Sequence, residues 1–432
     1  MPFDSTRGNC PPIPLAEALR LGLAPDGGLF VPESLPPLER EFFDRLPGRP
    51  WEEIATALAE HLLGDAIADV PSLVREALDF PIPLVSLEPG VHLLELFHGP
   101  TLAFKDVGAR FLARLLATTR DDGGTSTVLV ATSGDTGGAV AQAFHGVDGT
   151  RVAILYPEGK VSPVQERQFT TLGGNVQAFA VDGTFDDCQR LVKQCFGDHN
   201  LHQRLRLTSA NSINIGRLLP QVFYYFQAVA QLEDPTAPVL FVTPSGNFGN
   251  LTAGLMARAL GLEARFVAAT NANDVVPEYL DTGVFEPRPS QATVSNAMDV
   301  GNPSNFDRIL HLYDGDLEKL RATLVGRRYT DDQTRAAIAE VDGRFGYTLD
   351  PHTAVGYLAL REVLPHEPAG TQGIVLSTAH PAKFREVVEP VLGREIPLPE
   401  ALASRLDAPV VSEPIPADFD VLVEKLDAWA GR

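Results

Sequence analysis

Six short runs of apolar, largely β-branched residues set the limits on what this chain can fold into. Thr127–Thr132, Val152–Tyr156, Val176–Val181, Val239–Thr243, Phe266–Thr270 and Ile374–Thr378 each end in a polar or glycine-rich loop, and a helical pattern follows. Repeated strand, loop and helix units predict an α/β fold with parallel sheets covered by helices on both faces. The strands fall into two groups around the Pro-containing link Gln231 to Pro238, which predicts two lobes rather than one very wide sheet. A ligand then sits between them, at the carboxyl ends of strands.

A chain of 432 residues exceeds a single hydrophobic core, and its 44% hydrophobic and 21% charged residues indicate globular packing. The expected division is an N-terminal region over 1–90, a smaller α/β lobe over 91–230, a larger one over 231–396 and a tail over 397–432. The first is read as mostly helical from the spacing of Trp51, Ile54, Leu58, Leu62 and Leu63. In the tail, the amphipathic stretch Phe419 to Trp429 predicts a helix that docks on the surface. A net charge of -21 with no basic cluster argues against nucleic-acid or anionic-membrane partners. No run approaches the ~20 apolar residues a bilayer crossing needs, and Met1 to Pro14 lacks the apolar core of a secretory signal. Cys10, Cys188 and Cys195 have no metal-like spacing and fit reduced thiols, so a cytoplasmic protein without a metal site is expected.

The chain has six lysines, Lys105, Lys160, Lys193, Lys319, Lys383 and Lys425, a short list for any chemistry that joins an amine to an aldehyde. Lys105 lies in His98-Gly-Pro-Thr-Leu-Ala-Phe-Lys105-Asp106. After it, Val107, Phe111, Leu112, Leu115 and Leu116 recur at helical spacing, so Lys105 starts a helix. The positive end of that helix and the apolar Leu102, Ala103 and Phe104 both disfavour an ammonium, which makes a free amine more available.

Four further loops carry polar groups. Ser245-Gly246-Asn247-Phe248-Gly249-Asn250 follows a strand and opens a helix, the arrangement that aims backbone N–H groups at an anion; with no Lys or Arg between Val239 and Met256, amides and the helix dipole would have to neutralise a phosphate. Thr132-Ser133-Gly134-Asp135-Thr136-Gly137-Gly138 presents hydroxyls and amides at a strand end and suits a carboxylate or a phosphate. Asn211-Ser212-Ile213-Asn214-Ile215-Gly216-Arg217 brings hydroxyl, amide and guanidinium to one loop-to-helix turn, with Arg217 the strongest fixed cation. In Ser377-Thr378-Ala379-His380-Pro381-Ala382-Lys383 a strand ends in two hydroxyls able to hydrogen-bond a heteroaromatic nitrogen. His380 and Lys383 are candidate catalysts there, against the plainer reading of a helix start with a capping Thr and exposed basic residues.

Together these residues resemble the threonine synthases of the longer microbial and fungal type, pyridoxal-phosphate enzymes that make threonine from O-phosphohomoserine. The resemblance starts at Gly22-Leu-Ala-Pro-Asp-Gly-Gly-Leu-Phe-Val-Pro-Glu33 and takes in the loops above, Ser295-Asn-Ala-Met-Asp-Val300 and Asp350-Pro-His-Thr-Ala-Val-Gly356. It implies the two-lobed, tryptophan-synthase-β-like fold (fold type II). It further implies that Lys105 holds the cofactor as a Schiff base, that Gly246, Asn247, Phe248, Gly249 and Asn250 cradle its phosphate, and that Thr378 meets the pyridine nitrogen. By the same analogy Ser212, Asn214 and Arg217 hold the substrate phosphate, with Thr132 and Ser133 near the substrate. Many relatives of the wider fold carry Asn in place of Asp135, beside the cofactor's phenolic oxygen; an ionised carboxylate would repel a phenolate, so Asp135 is expected to turn away. Asp is the more usual residue where Asn250 stands, and either serves a helix start. The expected reaction is γ-elimination of phosphate followed by addition of water at the β carbon, by a monomer or homodimer. The alternatives are a related pyridoxal-phosphate lyase or dehydratase acting on serine, threonine or O-phosphothreonine, and a noncatalytic binding protein on the same scaffold.

Overall fold

The computed structural model describes residues 1–120 and 124–431. Its strands are β1 (Pro2–Ser5), β2 (Ile13–Pro14), β3 (Phe30–Pro32), β4 (Leu84–Glu88), β5 (Val91–Glu95), β6 (Ser126–Ala131), β7 (Thr150–Pro157), β8 (Val176–Asp182), β9 (Leu207–Thr208), β10 (Val239–Pro244), β11 (Arg265–Thr270), β12 (Leu324–Arg328), β13 (Gln372–Ser377) and β14 (Ser412–Pro416). They form a three-stranded sheet, β2-β1-β3, a six-stranded sheet, β12-β11-β10-β13-β5-β4, and a five-stranded sheet, β14-β8-β7-β6-β9. All six runs read as strands from the sequence lie in the two larger sheets. Pairing there is parallel except between β4 and β5. Strand β10 is buried along its whole length and β7 at all but one residue, as continuous apolar runs covered by helices on both faces require.

The sheets do not follow the boundaries read from the sequence. The division at residue 90 falls in the turn between β4 and β5, and both strands belong to the six-stranded sheet of the later lobe. Strand β5 pairs in parallel with β13, Glu95 opposite Ser377, so the segment leading to Lys105 starts on the larger sheet and then crosses to the smaller one. The tail is not an appendage: β14 extends the five-stranded sheet beside β8, and Leu422 and Leu426 of the helix Phe419–Ala430 pack with Cys188 and Leu191. The N-terminal region has the expected helix Trp51–Leu63, with Ile54, Leu58, Leu62 and Leu63 buried, but it also contributes the antiparallel sheet and β4.

Parallel pairing places four loops at carboxyl strand ends. They are 96–104 after β5, 132–134 after β6, 245–248 after β10 and 378–380 after β13. Two are fastened together: the Phe104 N–H donates to the Thr378 carbonyl at 2.8 Å, the His380 N–H to the Leu102 carbonyl at 3.1 Å, and Ala103 and Ala379 form an isolated bridge. Close helix approach is secured by Gly108, where a Cβ would stand 2.6 Å from the Arg217 carbonyl oxygen. Lys105 and Arg217 are thereby brought to one place.

Candidate active site

Lys105 is the first residue of the helix Lys105–Thr118 and its side chain is 15% exposed. Burial lowers its proton affinity; Asp135 opposes that effect, while the charges of Lys383 and Arg217 add to it. Burial and the neighbouring cations thus shift the amine toward its neutral form, against the pull of Asp135.

Asp135 does not turn away. Its Oδ2 lies 3.7 Å from Lys105 Nζ, and its Oδ1 lies 2.7 Å from Lys383 Nζ and accepts from the Gln165 side-chain amide at 2.8 Å. Burial alone would raise this carboxyl's pKa, but Lys383, then Lys105, hold it well below the usual range. The expectation failed because it treated the carboxylate as uncompensated. Lys383 compensates it, and Lys383 is a fully buried lysine, not the exposed residue of the plainer reading. Nor is Thr378 the cap of the turn Pro381–Phe384; His380 is, its Nδ1 accepting from the Ala382 N–H at 3.1 Å.

The glycine loop joins β10 to the helix Gly249–Ala259. Among the described residues, none of the five backbone N–H groups from Gly246 to Asn250 donates to a protein acceptor, while the neighbours do: Ser245 to the Ala269 carbonyl and Leu251 to Asn250 Oδ1. Five consecutive free donors at a helix N-terminus call for an anion. Phe248 stands at φ 60°, a left-handed conformation rare outside glycine, held by a buried ring edge-on to Phe306. Asn250 is an organiser here: its Oδ1 accepts from Ser245 Oγ and its Nδ2 donates to the Pro244 carbonyl.

The Ser212 loop meets this one directly. Asn247 Nδ2 donates to Ser212 Oγ at 2.6 Å, and Asn247 Oδ1 accepts from the Ser304 N–H at 2.7 Å. Asn214 is consumed by structure: it caps Gly216 N–H and donates to the carbonyls of Leu19 and Ser209. Arg217 is 4% exposed; one terminal nitrogen donates to the Ala210 carbonyl at 2.9 Å, and its buried Nε has no partner. Thr132 likewise serves its own loop, its hydroxyl bonded to Gly134 and Gly137, whereas Ser133 is exposed. Thr378 is buried beside the Lys105 segment, and its hydroxyl makes no hydrogen bond among the described residues.

Residues given no role in the sequence reading support these loops, Arg308 unnamed there and Asp350 and His352 named only within a motif. Arg308, fully buried, donates to the carbonyls of Phe30, Ser212 and Ile213 and to Asn305 Oδ1. The Asp350–His352 pair fixes the turn over Gly246: His352 Nδ1 lies 2.8 Å from Asp350 Oδ1, and its Nε2 accepts from the Ala297 N–H. The Asp-Pro-x-Thr run at 350–353 has a helix-cap signature that could have located this helix, though not its partner.

Comparison with known proteins matches the family described as pyridoxal-phosphate dependent enzyme over residues 80–378, threonine synthase N terminus over 2–77 and threonine synthase, C-terminal, over 353–425. The threonine synthase of Escherichia coli is 48% identical over 414 residues, 95% of each chain, and that of Serratia marcescens 46% over the same length and coverage. The chain belongs to the threonine synthase family. Among solved threonine synthases, the Escherichia coli structure superposes with a TM-score of 0.92 at 45% identity over 99% of this chain and 100% of that one. The pyridoxal-phosphate-bound Brucella melitensis structure gives 0.95 at 38% identity, with 99% of each chain covered. As a threonine synthase the chain is a pyridoxal-phosphate-dependent lyase. Its residues fit that group: a buried amine of lowered basicity and five unsatisfied amides for a phosphate.

The glycine loop has a sharp steric test. A Cβ on Gly246 would stand 2.6 Å from Met298 Cα and 3.0 Å from the Ala297 carbonyl oxygen, both backbone, while one on Gly249 would meet nothing closer than 3.5 Å. In the cofactor-free protein, Gly246→Ala is expected to lose about 1–3 kcal/mol in urea unfolding, and its cofactor affinity is expected to fall by on the order of tenfold. Gly249→Ala stays within about 1 kcal/mol of the parent. Equal stability of the two would mean that the 296–298 turn yields freely.

Proposed function

We propose that the chain converts O-phospho-L-homoserine and water into L-threonine and inorganic phosphate, in the cytoplasm. The observation that carries this reading is the contact between two anion-suited loops, Ser212 against Asn247, in a chain related to threonine synthases along nearly its whole length. One loop supplies amides to a cofactor phosphate and the other supplies Ser212 and Arg217 to a second phosphate, so the two anions are served from one wall of the site. Three free cysteines agree with a reducing compartment.

Bound pyridoxal phosphate supplies an aldehyde for imine chemistry and an electron sink for the negative charge left when a carbon–hydrogen bond breaks. Lys105 would hold the cofactor through its amine and, when that amine is free, would serve as the base at the substrate α carbon. Thr378 would offer a neutral hydroxyl to the ring nitrogen, a positioned donor rather than a source of a full proton. Arg217 holds the phosphate that is expelled from the γ carbon, and its partnerless Nε is the donor assigned to that anion.

The assay is simultaneous detection of threonine and inorganic phosphate from O-phosphohomoserine, in equal amounts. Release of ammonia and a keto acid from serine or threonine, or turnover of O-phosphothreonine in place of O-phosphohomoserine, would favour the dehydratase reading. Arg217→Ala is expected to raise KM for O-phosphohomoserine by on the order of 10–100-fold, the worth of a charge-assisted hydrogen bond, with cofactor affinity changed by about twofold or less. Equal loss of both would give Arg217 a structural role.

A further inference from the structure

Lys383 is the second lysine of the site, and none of the roles above uses it. Its side chain is fully buried at the turn Pro381–Phe384, and its Nζ donates to Asp135 Oδ1 and to the Thr101 carbonyl, both at 2.7 Å. The same Asp135 oxygen accepts from Gln165, and Gln168 donates to the same Thr101 carbonyl at 3.0 Å. Lys105 stands 3.7 Å from the other oxygen of Asp135, longer than a hydrogen bond. One carboxylate thus faces two amines, and the arrangement of donors decides which amine it serves.

We propose that Lys383 is a positioning residue for the Lys105 amine: by committing the Asp135 carboxylate to itself, it leaves Lys105 neutral, the form that attacks an aldehyde. The inference rests on the assignment of Lys105 to the cofactor. A lone carboxylate 3.7 Å away would favour a charged Lys105, whereas an Asp135–Lys383 pair presents little net charge. The other charged or titratable groups around this centre are Arg217, which disfavours a charge on Lys105, and Asp106 and His380, which lie near Lys383 and whose charged forms burial disfavours. Asp106 is tied to Thr101 through both its oxygens, at 2.8 and 2.6 Å, and does not reach Lys105.

The test follows covalent attachment when pyridoxal 5′-phosphate is added to the full-length cofactor-free chain over a range of pH. The product is fixed with borohydride and located by mass spectrometry. In Lys383→Met the pH midpoint of attachment at Lys105 is expected to rise by about one unit or more, slowing attachment on the order of tenfold at pH values below both midpoints. Asp135→Asn lowers the midpoint, because a buried ammonium then faces Lys105 without its carboxylate. The double variant, Asp135→Asn with Lys383→Met, returns toward the parent value, a rescue that a merely structural Lys383 would not give. An unchanged midpoint in Lys383→Met, or a rise that Asp135→Asn does not reverse, overturns the proposal. Should Lys383→Met not fold, Asp135→Asn decides alone, and a midpoint equal to or above the parent's overturns it. Label found on another lysine in the parent protein would defeat the Lys105 assignment itself, a distinct outcome.

Discussion

Lys105→Ala is expected to lose the absorbance of a lysine-linked pyridoxal and to reduce turnover of O-phosphohomoserine by on the order of a thousandfold or more, since the function proposed above rests both attachment and proton abstraction on this one amine. The variant should still fold. Lys105 is the first residue of its helix and makes no short ion pair, so truncation removes little packing. Lys383 is not expected to take over: its Nζ is held by Asp135 and the Thr101 carbonyl, in a position with no exposed surface. Absorbance spectra, borohydride fixation and mass spectrometry on parent and variant check each part. A variant that keeps the bound chromophore on some other lysine would refute the assignment. Residual binding of free cofactor is compatible with it, because the glycine loop still offers five amides to a phosphate.

The parts legible in the sequence were those that announce themselves locally. Strands β6, β7, β8, β10, β11 and β13 are buried in parallel sheets and so read as unbroken apolar runs. Two strands missed at sheet edges lack that signal. Strand β14 is Ser-Glu-Pro-Ile-Pro at a sheet edge, where proline costs no ladder bond, and β12, at the edge of the larger sheet, ends in two arginines. The helix starts at Lys105 and after the glycine loop were legible because a helix start can be read from a few adjacent residues. The state of Lys383 could not be, since a cation is buried only where a partner awaits it, and Asp135 comes from a different lobe. The misjudgement of Asp135 has the same origin. Asn214, Asn250 and Thr132 show the reverse: residue types suited to a ligand were used instead to hold the loops that carry one.

Arg308→Met is expected to lower the free energy of unfolding by about 2–4 kcal/mol and, at temperatures where the variant is folded, to raise KM for O-phosphohomoserine. Methionine fills much of the volume but supplies none of the donors. The carbonyls of Phe30, Ser212 and Ile213 lose a guanidinium that reaches them at 2.9, 3.2 and 2.7 Å; the buried Phe30 carbonyl left bare costs about 1–3 kcal/mol, and the half-buried other two less. Removal of a charge that burial itself disfavours offsets part of this, so the net is smaller than the sum. The three carbonyls belong to different parts of the chain, one to the N-terminal sheet and two to the Ser212 loop, so the variant should loosen that loop while leaving Lys105 and the glycine loop chemically intact. Arg308→Lys is expected to recover little, because an ammonium cannot span the directions a planar guanidinium serves. Urea unfolding followed by substrate titration checks both effects. Loss of stability with an unchanged KM would confine Arg308 to anchoring the N-terminal sheet, whereas a raised KM with unchanged cofactor affinity would tie the Ser212 loop to the substrate rather than to the cofactor.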